Sequence, residues 1–168
     1  MEKFAQAIQQ PEYVHVLLNH LPITGLFVAL LLLLTALAAN HRFTLCASLA
    51  LVAGLSLSAW PVAHYGERAF DRALALSDDA GGQYLKRHAE LADHWIFLYY
   101  LTSAAAVAAL VVAWKKPKFL RPAAGVVALL VLASLIAGAV IADAGGKIRH
   151  GEFRYGPPPT ERKSGDQS

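Results

Sequence analysis

Four stretches of the chain run for about 20 residues each without a charged side chain: Leu21 to Ala39, Phe43 to Ala63, Trp95 to Trp114 and Ala123 to Ala142. A helix of roughly 20 apolar residues crosses a hydrocarbon core of about 30 Å. The pattern therefore predicts an all-α, four-transmembrane-helix bundle whose first partner is the lipid bilayer. Between the second and third stretches the periodicity changes. Ala69, Phe70, Ala73, Leu74 and Leu76 recur at helical spacing among charges, which predicts a short periplasmic amphipathic helix over Glu67 to Leu76, lying on the membrane surface. SDDAGG ends it, and a new helix is expected from about Gln83 into the third span. The closing GEFRYGPPPTERKSGDQS is rich in Pro, Gly and charge, with nothing to pack. Residues 1–155 are read as one domain and 156–168 as a disordered tail.

Within the spans, Pro22 and Pro61 each remove a backbone donor and are expected to bend the first and second helices. Ser134, Gly138 and Ala142 form a small-residue ladder suited to close helix packing. Trp95, Tyr99, Tyr100 and Trp114 read as interfacial aromatics. The lone Cys46 reads as a small packing residue.

Composition agrees with this class: 56% hydrophobic and 16% charged residues are too apolar a mixture for an ordinary soluble domain. A secretory signal is not the expected reading of the first span, because twenty residues including Glu2, Lys3, Pro11 and Glu12 precede it. The net charge of +3 needs no nucleic acid, since Arg42, Lys115, Lys116, Lys118 and Arg121 all fall in the acid-free loops after spans one and three. Basic short loops are retained in the cytoplasm. Both termini and the connection from Tyr65 to Asp93 are then expected on the opposite side, which in a Gram-negative inner membrane is the periplasm.

The candidate chemistry lies in the histidines. His15, His20, His64, His88, His94 and His150 are all assigned to the periplasmic side, and every span contributes at least one near that end. Imidazole is a common ligand for transition metals and for haem iron, and four-helix bundles build such sites from inward side chains. His15 and His20 lie about 140° apart around a straight helix, as do two positions five residues apart in general, so one point is not within reach of both. His20 is the deeper of the two. Glu90, four residues before His94, is the candidate partner orienting that imidazole.

HVLLNHLPI resembles the opening H-P-x-x-V-H-F-P-I of an uncharacterised bacterial family of four-helix integral membrane proteins, in the spacing of His15 and His20 and the position of Pro22. GERAFDRA followed by RHAELA is similar to that family's G-x-x-A and H-E segments, which carries over Gly66, Ala69 and His88. AGGKIRHG resembles its closing G-G…H-G, which carries over Gly145, Gly146, His150 and Gly151, with a shorter spacer. Val16, Asn19 and Leu21 depart from the pattern. The resemblance implies a four-helix fold and no particular activity.

The leading expectation is a redox subunit holding haem b near the periplasmic face through His20, His64, His94 and His150, exchanging electrons with a periplasmic c-type cytochrome or a quinol. The first alternative is copper or zinc bound by His15, His20, His88 and His150. The second is a non-catalytic scaffold, with the chain as subunit of a membrane complex or a homo-oligomer. C-x-x-C-H and H-E-x-x-H are absent from the sequence, so neither covalent haem nor zinc-peptidase chemistry has residue-level support.

Overall fold

The computed structural model describes residues 6–159. These residues are all-helical: α1 (Pro11–Leu18), a π-helical turn (Leu21–Gly25), α2 (Leu26–Ala39), α3 (Arg42–Leu57), α4 (Ala59–Ala75), α5 (Asp79–Lys115) and α6 (Leu120–Arg149), with 3-10 turns at Pro117–Phe119 and Gly151–Phe153. α1 runs on into α2, and α3 into α4. The chain thus has four helical segments long and apolar enough to cross a membrane: Pro11–Ala39, Arg42–Ala75, Asp79–Lys115 and Pro117–Arg149.

Both interruptions lie beside prolines. Pro22 cannot donate to Leu18, and the helix widens into the π turn from Leu21 to Gly25. Pro61 leaves the Leu57 carbonyl without its usual donor, and the boundary between α3 and α4 falls at Ser58. At the opposite end, α2 stops where Asn40 adopts a left-handed conformation with φ 53°, a region that asparagine tolerates better than most residues. His41 then caps α3, its Nδ1 accepting from the Thr44 amide at 3.4 Å.

The four segments pack as a square. α2 lies against α3 and α6, and α5 against the same two, which leaves α2 diagonal to α5. Buried side chains recur every three or four residues on each: Leu26, Leu30 and Leu33; Leu45, Leu49 and Val52; Ala106, Ala109 and Ala113; Ala124, Val127 and Val131. Alanines on α5 let it approach its neighbours closely. Thr102 and Ser134 share a buried hydrogen bond of 2.9 Å, and the Ser103 hydroxyl donates to the Ala53 carbonyl at 2.9 Å. Large apolar side chains such as Phe27, Leu31, Val126, Leu129 and Ile136 stay exposed on the outside, as a surface solvated by lipid requires.

Several expectations change. Glu67 to Leu76 forms no separate surface helix; all but its last residue belong to α4, which continues the second span and packs on α1. The helix runs unbroken from Ala59 through Gly66 to Ala75, and Ala69 is buried in protein. α5 starts at Asp79 rather than near Gln83, because Asp78 caps it by accepting from the Gly81 amide at 2.9 Å. Tyr99 is no interfacial aromatic: its ring is 4% exposed. A β-carbon at Gly138 would overlap the Tyr99 hydroxyl, which explains why α6 has glycine there. Ser134 and Gly138 of the small-residue ladder face inward, whereas Ala142 is exposed. Most of the expected disordered tail, residues 160–168, lies outside the described residues.

At 37 residues, α5 is about 55 Å long at 1.5 Å per residue. The bundle is therefore longer than a hydrocarbon core. Its surplus, bearing six histidines, lies at the end opposite the two basic loops.

Candidate functional site

At the histidine end the helices form two antiparallel pairs, α1 with α4 and α5 with α6. α1 extends α2 and so stands across the diagonal from α5. His15 on α1 places Nδ1 at 2.9 Å from the Val62 carbonyl of α4. His88 on α5 places Nδ1 at 2.9 Å from the Ile141 carbonyl of α6. A carbonyl can only accept, so in both neutral rings Nδ1 carries the proton and Nε2 keeps the lone pair.

Each ring lies on a glycine one turn beyond the carbonyl it bonds. A β-carbon at Gly66 would come within 3.0 Å of His15 Nδ1, and one at Gly145 within 3.0 Å of His88 Nδ1. The two imidazoles then meet across the bundle with ring centroids 6.2 Å apart and planes at 89°. α1 and α5 supply the imidazoles; α4 and α6 supply the carbonyls and the glycines. Both rings are partly buried. His15, Gly66, His88 and Gly145 are all residues of the H-x4-H, G-x-x-A, H-E and G-G segments noted in the sequence.

The other histidines lie elsewhere. His20 is exposed, with Nδ1 3.0 Å from the Val16 carbonyl of its own helix. His64 is exposed and stacks on Trp60 with centroids 5.9 Å apart. His94 is exposed beside Trp95, at 4.8 Å. His150 is exposed, pairs with Glu152 at 2.9 Å and stacks on Phe153. Glu90 pairs with Arg87 at 3.3 Å, not with His94. Of the six, the structure brings only His15 and His88 together. Among the described residues, no group of three or more His, Cys, Asp and Glu side chains is arranged to hold a metal ion.

The surroundings hold the pair in register. Glu12, one turn before His15, binds Arg72 of α4 through Oε1 at 3.0 Å. Its Oε2 and the Gln83 Oε1 are buried acceptors with no donor among the described residues. Beyond His88, Arg154 closes the end of the α5–α6 pair: it donates to both carboxylate oxygens of Asp78, at 2.7 and 3.0 Å, and to the Lys147 and Ile148 carbonyls. Arg154 holds the Asp78 carboxyl below its ordinary pKa. Gly81 is needed here because a β-carbon would strike both Asp78 Oδ1 and the Ile148 carbonyl.

Comparison with known proteins adds no relative: no family model, curated protein or solved structure matches the chain.

Proposed function

We propose that the protein is a membrane redox subunit that binds haem b between His15 and His88 at the histidine end of the bundle. The observation that carries this reading is the pair of imidazoles, each fixed by an Nδ1–H bond to a backbone carbonyl, with neither Nε2 hydrogen-bonded among the described residues. Bonding of that kind orients a histidine toward a metal and raises its basicity.

The donor set fits the group. A metal bound by both Nε2 atoms at about 2 Å each, with about 1.1 Å from each nitrogen to its ring centre, would hold the ring centres roughly 6 Å apart. The separation here is 6.2 Å. A porphyrin brings four ligands of its own, so two protein donors suffice. The glycines at positions 66 and 145 leave the rings room that any side chain would take. Haem supplies one-electron chemistry when bound. The chain would supply the two imidazole nitrogens of His15 and His88.

A periplasmic c-type cytochrome or a quinol is the proposed exchange partner. The basic short loops support an inner-membrane topology with the histidine end in the periplasm. The exposed His20, His64, His94 and His150 have no ligand role in this reading. A second reading, a copper(I) ion held linearly, draws on the same two-nitrogen set. Zinc is less well served, because its closed sites take four protein ligands.

The test is spectroscopic. Protein purified in detergent from haem-replete cells is expected to show a Soret band that sharpens and shifts on reduction. That band should vanish in His15→Ala and His88→Ala. Stoichiometric copper without a Soret band would select the second reading, and a colourless, metal-free preparation would defeat both.

A further inference from the structure

The opposite end of the bundle carries a different arrangement. Asn40, Arg42, Leu45, Pro117, Lys118, Leu120 and Arg121 line a cleft of about 200 Å³, several times the roughly 30 Å³ that one water occupies in the liquid. Its floor is apolar, with Leu45 1% and Leu120 3% exposed. Its rim holds three cations and no carboxylate.

Two of these cations are fixed to the framework. Arg42 Nη2 donates to the Ala113 carbonyl of α5 at 2.8 Å, and Arg121 Nη2 donates to the Leu37 carbonyl of α2 at 3.4 Å. Each bond joins two helices near the cleft. Charges that served only to set topology would need no fixed geometry. One N–H is engaged in each of these bonds, and a guanidinium has five N–H donors and no acceptor, so what remains offers charged donors that anionic oxygens match best. α3 and α6 also begin here, and their backbone dipoles add positive potential.

We infer that this cleft is a binding site for the phosphate of an anionic phospholipid, its headgroup held by Arg42, Lys118 and Arg121 and its acyl chains running down the exposed apolar faces of the spans. An apolar floor beneath a cationic rim, at the end of membrane-length helices, matches a lipid phosphodiester better than a free anion, which would meet no apolar partner it needs.

The experiment is native mass spectrometry of the detergent-solubilised full chain, titrated with micelles doped with phosphatidylglycerol or phosphatidylcholine. Phosphatidylglycerol is expected to remain bound where phosphatidylcholine is lost. Removing one cation near a membrane surface weakens such binding about fivefold. Lys118→Ala should show that loss, and an Arg42→Gln/Arg121→Gln double variant roughly 25-fold, with an Arg42→Lys/Arg121→Lys variant retaining most of the binding. If the glutamine pair does not fold by circular dichroism, the Lys118→Ala comparison decides. Equal retention of the two lipids, or unchanged phosphatidylglycerol retention in the variants, would overturn the site. Displacement of the lipid by millimolar inorganic phosphate would overturn its assignment to a lipid.

Discussion

The two ends of the bundle use one device to opposite effect. At the histidine end, His15 and His88 each bond the carbonyl of a neighbouring helix; at the basic end, Arg42 and Arg121 do the same. What differs is the capacity left over. An imidazole that has spent its one proton retains a lone pair, whereas a guanidinium that has spent one proton retains only donors. The first has what half of a cation site needs, the second what part of an anion site needs. Residue type, rather than position in the helix, decides which chemistry an anchored side chain offers.

The largest effects expected from breaking this contrast come from the imidazoles. His15→Ala or His88→Ala should abolish haem absorbance, while a variant with His20, His64, His94 and His150 all replaced by alanine should keep it. The reverse result would return the ligand set to the exposed histidines. Next come the glycines. Gly66→Val and Gly145→Val push the rings off their seats, and loss of such orienting contacts weakens binding about 10- to 100-fold, measurable by haem titration. Arg42→Gln should leave that titration unchanged, which tests the independence of the two ends.

Core changes between the ends should be smaller. Gly138→Ala meets the Tyr99 hydroxyl and is expected to cost about 1–3 kcal/mol by overpacking. Adding Tyr99→Phe should recover part of that loss in thermal unfolding. A double-mutant cycle on Thr102 and Ser134 should give a coupling of about 0.6 kcal/mol, typical of hydrogen bonds between membrane helices. The smallest effect concerns pH. Arg154 lowers the folded-state pKa of Asp78 below the ordinary 3.8, so the clamp contributes fully above that value and is lost as pH falls through the lowered one. Thermal unfolding should show this decline in the wild type below about pH 4 and a weaker one in Asp78→Asn. Identical curves would show that the clamp has no role in stability.

Helix number and three of the four basic-end boundaries were legible because hydropathy and charge change abruptly there: Ala39, Arg42 and Lys115 lie within a residue of the expected limits, whereas α6 starts at Leu120, three residues before Ala123. The histidine-end limits were not, since helices continue past the apolar stretches to Ala75 and Arg149 and back to Asp79. Hydropathy reports depth and not helix azimuth. α2 is apolar on every side, so nothing along it shows which way His20 or His15 points, and depth wrongly favoured His20 as the inward residue. Gly66 and Gly145 carried the missing signal. A glycine in a helix interior lowers its stability, and two of them opposite histidines on neighbouring helices mark where rings are seated.

Each ring of the histidine pair is bonded to the neighbouring helix of its own pair, so its seat there moves with that pair when bilayer thickness changes. Thinner or thicker membranes change the tilt of a bundle; each ring stays seated by its own pair, His15 by Val62 and Gly66 and His88 by Ile141 and Gly145, while the separation between the rings depends on how the two pairs pack. Under the proposed function, spectra and redox potential measured in short-chain detergent, in thick sterol-rich vesicles and in native membranes should therefore report whether the two pairs keep their packing.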